Sequence, residues 1–261
     1  MEIIKAIILG IIQGLTEFLP ISSSGHLVLA QKIMGFTEPP LIFDTVLHLG
    51  TLFAVVLVLW SDIWPLLKKP FQKMTGLLIV GTIPAALMGL LFKDFFESLF
   101  KSGKTLGVEF IITGLILFAA QRMSNGHKKI KETTVWDAFF VGVMQGIAIL
   151  PAISRSGLTI AGSLFRKMDR DFAARFSFLL SIPAILGATV IQLKDINDVG
   201  AAMPSVAPLL LGFVFSFIFG VFSVKFMMKI IREGKLSGFG IYCSALGALI
   251  ILDQLVLHII F

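Results

Sequence analysis

The chain has 261 residues, of which 56% are hydrophobic and only 15% charged. A soluble domain carries roughly 25% charged residues, so this composition, with a mean hydropathy of +0.94, excludes an ordinary water-soluble protein and marks an integral membrane protein. The net charge of +6 fits an excess of Lys and Arg on cytoplasmic loops, and no nucleic-acid partner is needed to explain it.

Six stretches approach the roughly 20 apolar residues that cross a bilayer: about 41–60, 76–92, 106–121, 173–193, 207–228 and 237–258. In chain order, however, the first apolar segment is too short. Residues 3–15 and 26–35 flank a polar break at 22–25, and read as a re-entrant helix–loop–helix hairpin. Its start lacks a basic lead and a small-residue cleavage site, so it is expected to be structure and not a cleaved signal. The first span follows, with Asp44 and His48 four apart on one face and Trp60 at its end. Trp60 and Trp64 read as interface anchors. After the third span, residues 136–150 and 157–166 flank a second polar break at 154–157 and form a second re-entrant hairpin. Three spans then complete the chain. Cys243 stands alone in the last of them and permits no internal disulfide.

The two hairpins are copies. Gln13-Gly14-Leu15 recurs as Gln145-Gly146-Ile147, and Ser22-Ser23-Ser24-Gly25 as Ser154-Arg155-Ser156-Gly157, both at an offset of 132 residues. The expected architecture is a single all-α polytopic domain of ten helices, six spans and two re-entrant pairs. Its repeats cover about 1–126 and 133–258. The segments near 62–75, 122–135, 165–175 and 225–236 carry 3, 4, 4 and 4 basic residues, against one each near 32–40 and 194–206. The former group is assigned to the cytoplasm. The segment near 93–105 fits poorly, since Lys93, Lys101 and Lys104 sit there beside Asp94 and Glu97. With this assignment the matched spans run in opposite directions. The repeat is therefore inverted, and its two tips can meet near the midplane, where such repeats place their sites.

The polar residues collect at those tips. Gln13 and Glu17 are four apart and share a helix face, and Pro20 ends that helix. Ser22 and Ser23 are good caps for the next helix, whose free N–H groups suit an anion. The second tip has the same form with Arg155 added, a fork that matches phosphate oxygens. Two helix starts and one Arg facing each other make an anion pocket. Gln13, Ser22, Ser154, Ser156, Gly157 and Thr159 are its candidate binding residues, and Glu17, His26, Ser23 and Arg155 its reactive groups. Structural alternatives stand beside this reading. The serines can be caps only, His26 a core imidazole, Arg155 and Glu17 a structural ion pair, and Gln13 and Gln145 interhelical backbone-bonding amides.

These motifs resemble the undecaprenyl-diphosphate phosphatases of the bacitracin-resistance (BacA) family. The first family motif is Glu/Gln-x-x-x-Glu running into Leu-Pro-x-Ser-Ser-x-Gly-His. It is met here by Gln13, Glu17, Leu19, Pro20, Ser22, Ser23, Gly25 and His26. The second, Pro-Gly-x-Ser-Arg-Ser-Gly-x-Thr, is met by Pro151, Ser154, Arg155, Ser156, Gly157 and Thr159, with Ala152 in place of the usual Gly. The stretch 43–51, which contains Asp44 and His48, is also family-like. The resemblance implies removal of the terminal phosphate of undecaprenyl diphosphate, in a bacterial inner membrane, at a site opening to the periplasmic or outer side. It also implies a divalent cation such as Mg or Ca, for which Glu17 is the candidate ligand, and a homodimer. Arg155 would hold the diphosphate, and Glu17 would bind metal or act as general base. The nucleophile would be His26, Ser23 or water activated by His26; the place of His26 at a helix start puts it ahead of Ser23. A transporter or flippase of a polyprenyl phosphate lipid is the rival reading, since inverted repeats with broken helices are common in transporters.

Overall fold

The computed structural model describes residues 2–36, 41–123, 126–199 and 205–261, with side chains from 41 and 194–199 outside that description. Residues 124–125 of the expected cytoplasmic segment near 122–135, and residues 200–204 with the side chains of 194–199 in the expected outer segment near 194–206, lie outside that description. Twelve α-helices are present among the described residues: α1 (Ile3–Thr16), α2 (Ser23–Ile33), α3 (Leu41–Val58), α4 (Trp60–Lys68), α5 (Lys73–Leu91), α6 (Lys93–Ser102), α7 (Leu106–Gln121), α8 (Val135–Ile147), α9 (Arg155–Phe165), α10 (Arg170–Val199), α11 (Val206–Glu233) and α12 (Ser237–Leu252). A single π turn, Asp253–Leu257, ends the last of them.

Four helices are long and apolar enough to cross a membrane, or six if α3 with α4 and α6 with α7 each count as one bent span. The chain is thus an all-α multi-pass membrane protein. Twelve helices replace the expected ten because two amphipathic pieces are invisible to a search for apolar runs. Helix α4 turns 83° away from α3, and α6 meets α7 at 107°. On α6, Glu97 lies between Lys93 (3.8 Å) and Lys101 (4.0 Å), while Phe96 is buried. That sidedness, and not length, makes it a helix.

The hairpin helices α1 and α8 share one register. Ala6, Leu9 and Gln13 form the buried face of α1, and Ala138, Val141 and Gln145, each 132 residues on, form that of α8. A second face of each helix is glycine, again at the same offset. A Cβ on Gly10 would lie 2.6 Å from the Gly212 carbonyl oxygen, and one on Gly14 2.6 Å from that of Ser216. On α8, a Cβ on Gly142 would lie 2.5 Å from the Gly81 oxygen, and one on Gly146 would strike Met88. Small residues let backbones approach where no solvent drives helices together. Each hairpin therefore packs on a span of the other half, α1 on α11 and α8 on α5.

The contacts also give directions. Gly107 meets Gly247 while Gly114 meets Gly240, so α7 and α12 are antiparallel. Thr45 bonds Gln192 (2.6 Å) while Asp62 pairs with Arg175 (2.6 Å), so the α3–α4 arm and α10 are antiparallel too. Matched elements of an inverted repeat must run this way. The halves are not identical, because α10 and α11 continue unbroken where the first half is interrupted at Leu59, between α3 and α4, and at Phe92, between α5 and α6.

All four basic segments meet at one end. Asp171 joins Arg175 (2.8 Å) and Arg232 (2.6 Å), Asp137 joins Lys128 (2.9 Å) and Arg166 (2.7 Å), and Lys73 donates to the Lys131 carbonyl (2.6 Å). At the far end of α7, Gln254 donates to the Gly103 carbonyl (3.0 Å), Lys32 covers the Phe261 ring, and the Asp253 carboxylate accepts from the last three backbone N–H groups. The poorly fitting 93–105 segment therefore sits away from the basic end. Single cysteines at Lys131 and Lys235, in a Cys243→Ala background, are expected to react with an impermeant maleimide from one side of a sealed vesicle, and one at Lys101 from the other. Labelling of all three from the same side would contradict this arrangement.

Candidate active site

Each tip forms where its first helix runs out. Helix α1 ends at Thr16, Pro20 forbids its continuation, and Ser22 caps α2 by accepting from the Gly25 N–H at 3.3 Å. Ser22 has φ +65, a left-handed value that costs a non-glycine residue energy and marks a constrained place. Ser154 caps α9 by accepting from the Gly157 N–H at 3.1 Å. The family's glycine is not needed at 152. Ala152 is outside the positive-φ residues, and its turn is braced from α7. Glu109 accepts the Ala152 N–H (2.6 Å), and the Thr113 hydroxyl donates to the Ala152 carbonyl while accepting the Ser154 N–H, both at 3.2 Å.

The tips interlock. The Ser22 hydroxyl donates to the Pro151 carbonyl (2.9 Å), and that of Ser156 to the Leu19 carbonyl (2.8 Å). Between them lies the buried Glu17 carboxylate. One oxygen is paired with Arg155 across the two halves; the other accepts from the Ser23 hydroxyl and from Gln13 Nε2 (2.9 Å), with His48 Nε2 at 3.8 Å. The Arg155 guanidinium keeps Nη1 without a protein partner among the described residues. This arrangement joins a hydroxyl to a base, and a base to a fixed cation with donors to spare.

The expected residues divide accordingly. Gln13, Glu17, Ser23 and Arg155 come together, with His48. Ser22, Ser154 and Ser156 use their hydroxyls as caps or seams between tips. Thr159 is turned away, bonding the Arg155 carbonyl (2.8 Å) and the Ser177 hydroxyl (2.6 Å), and Gly157 packs beside Ser154 and Pro20. His26 does not reach Ser23 as a base. Its Nδ1 faces the Ser22 carbonyl (2.6 Å), which only accepts, so Nδ1 carries the proton and Nε2 accepts from the Tyr242 hydroxyl (2.7 Å). Tyr242, the chain's one tyrosine, also stacks on His26 at 5.7 Å. A cleft of about 590 Å³ runs from Ile21 and Tyr242 to Lys235 and Ser237, away from the Glu17 cluster. Glu109 and Tyr242 escaped sequence reasoning. A carboxylate four residues before a Thr in an otherwise apolar span was the available signal for Glu109.

No three His, Cys, Asp or Glu side chains gather to hold a metal among the described residues. The donor set fits a divalent cation only through one carboxylate, Glu17, with phosphate oxygens as the other ligands, a pattern Mg commonly accepts.

Fold and site together define a class: a polytopic membrane protein with a Ser–Glu–Arg centre sealed between two repeated hairpins. Residues 6–249 match the family described as bacitracin resistance protein BacA, and the chain belongs to that family. Its curated relatives include an undecaprenyl-diphosphatase of Carboxydothermus hydrogenoformans, 54% identical over 97% of this chain and 98% of the relative. Another, of Halothermothrix orenii, is 46% identical over the same shares, and undecaprenyl-diphosphatase 4 of Bacillus thuringiensis subsp. konkukian is 49% identical over 97% and 98%.

Removing the Tyr242 hydroxyl alone tests what holds His26. Tyr242→Phe keeps the stack but loses one hydrogen bond, worth about 1 kcal/mol. Turnover is expected to fall roughly fivefold with little change in the melting temperature. Unchanged turnover would show that the hydroxyl does not position the tip.

Proposed function

We propose that this chain is an undecaprenyl-diphosphatase that hydrolyses undecaprenyl diphosphate to undecaprenyl phosphate and inorganic phosphate. The observation that carries the reading is the contact of Ser23 with Glu17 beside Arg155. Binding or transport of an anionic lipid needs a cation, but not a hydroxyl hydrogen-bonded to a carboxylate. The names of the relatives support the same substrate.

The diphosphate engages the Arg155 guanidinium, which is always charged and offers five donors, with its terminal phosphate on the Nη2 side, beside Ser23 and Glu17. Competition for that cation loosens its hold on Glu17 and frees the carboxylate as a base. Ser23 Oγ attacks the terminal phosphorus, its proton passes to Glu17, and the bond to the bridging oxygen breaks, leaving the lipid monophosphate. Glu17 passes that proton to the departing lipid monophosphate and is again a carboxylate. Water then attacks the phosphoserine phosphorus while Glu17 takes its proton, the bond to Ser23 Oγ breaks, inorganic phosphate leaves, and Glu17 returns the proton to the serine. Arg155 neutralises charge on the transferring oxygens throughout. His26 holds the Ser22 carbonyl and so the start of α2, from which Ser23 projects. A Mg or Ca ion would rest on Glu17 and the phosphates, and would supply charge neutralisation.

We also propose that the site opens to the outer side of a bacterial inner membrane. The basic end is then cytoplasmic, and the part-exposed edge of His48 faces the outer half.

Rapid quench with terminally labelled substrate is expected to give an acid-stable phosphoserine in the wild type. In Ser23→Ala both the label and the phosphate release should be lost, by about 10³-fold or more, as when a nucleophile is removed. An acid-labile phosphohistidine, or turnover retained in Ser23→Ala, would overturn the Ser23 assignment.

A further inference from the structure

The sequence predicts that Gln145 bonds backbone between helices, yet neither atom of its amide has a partner among the described residues. The side chain is 2% exposed. An unpartnered amide buried this deeply costs about 1–3 kcal/mol, so it needs an explanation. We propose that Gln145, with Arg155 Nη1, binds the lipid-side phosphate of the diphosphate. This rests on the diphosphatase reading.

The repeat register puts the two groups at matched positions. Gln145 is the repeat counterpart of Gln13, and Arg155 that of Ser23, at the same offset of 132. In the first hairpin, Gln13 and Ser23 converge on a single atom, one oxygen of Glu17. The second hairpin repeats the buried face, with Ala138, Val141 and Gln145 matching Ala6, Leu9 and Gln13. It also repeats the glycine face, so α8 holds the same rotation as α1. The counterpart of Glu17 is Ile149. At the matched positions the second hairpin thus carries two donors, and no carboxylate. An amide N–H and a guanidinium N–H, both buried and both unanswered, suit an anion in that place.

Chemistry decides which phosphate it takes. Ser23 and Glu17 lie at the Nη2 side of Arg155, where the terminal phosphate must be attacked. Gln145 belongs to the other hairpin, with Nη1 as its companion donor. The group it meets is the phosphate that departs with the lipid, and its N–H steadies the charge that grows on the leaving oxygen.

The test replaces Gln145 by Met, close in shape but unable to donate. In detergent, with undecaprenyl diphosphate, kcat/KM is expected to fall roughly tenfold to hundredfold, the worth of a hydrogen bond to a charged group. Inhibition by the lipid monophosphate should weaken in parallel, and inhibition by inorganic phosphate should not. The melting temperature should hold or rise, since an unpaired amide has gone. Gln145→Leu carries the test if the Met variant does not fold. Wild-type kinetics in a folded variant would overturn the assignment and leave the diphosphatase reading intact. Absence of phosphate release from the wild type in the same assay would overturn both.

Discussion

The structure turns on one buried ion pair, Glu17 with Arg155, contributed by hairpins from opposite halves of the chain. Their side chains are 6% and 16% exposed. Neither charge is tolerable alone at such depth, so each tip requires the other. Around the pair, the Ser22–Pro151 and Ser156–Leu19 hydrogen bonds satisfy polar groups that the broken helices leave open. Irregular backbone persists at membrane depth only when protein covers it in this way. The pair that makes the fold possible also sets up the chemistry, because it stores a cation and a carboxylate beside Ser23.

Glycine explains how two short helices can be held so deeply. Gly10, Gly14 and Gly142 admit neighbouring backbones, and Gly146 the Met88 side chain, at distances no side chain would allow. The same rotation then turns Gln13 and Gln145 inward. Packing against a span of the other half makes the hairpins common property of both repeats.

Much of the fold and site is legible in the sequence, for a physical reason. In an apolar chain polar residues are expensive, and Glu17, Ser23, His26 and Arg155 stand out at the two interruptions. The constant repeat offset pairs those interruptions with each other. The six apolar stretches match the six apolar arms. Helices α4 and α6 do not register, because amphipathic pieces with Asp62 or Glu97 break the apolar count. The partnership of Ser23 with Glu17 is also hidden. It crosses a break at Pro20, where helical spacing no longer reports proximity, whereas His26 lies at an attractive helical distance. Tyr242 is the chain's one tyrosine, but it stands in a distant span, and nothing in the spacing ties it to His26. Gln145 is visible as a polar residue in an apolar helix, but its lack of a partner is a property of packing and cannot be read from its neighbours in the chain.

The central claim is that Glu17 and Arg155 are coupled across the hairpins. A double-mutant cycle on thermal or denaturant stability in detergent measures that coupling directly. Arg155→Gln is expected to cost about 3–5 kcal/mol, because it leaves a buried carboxylate uncompensated. Adding Glu17→Gln should recover most of that stability while phosphate release stays lost. Costs that simply add in the double variant would mean that the two charges do not meet, and would contradict the account.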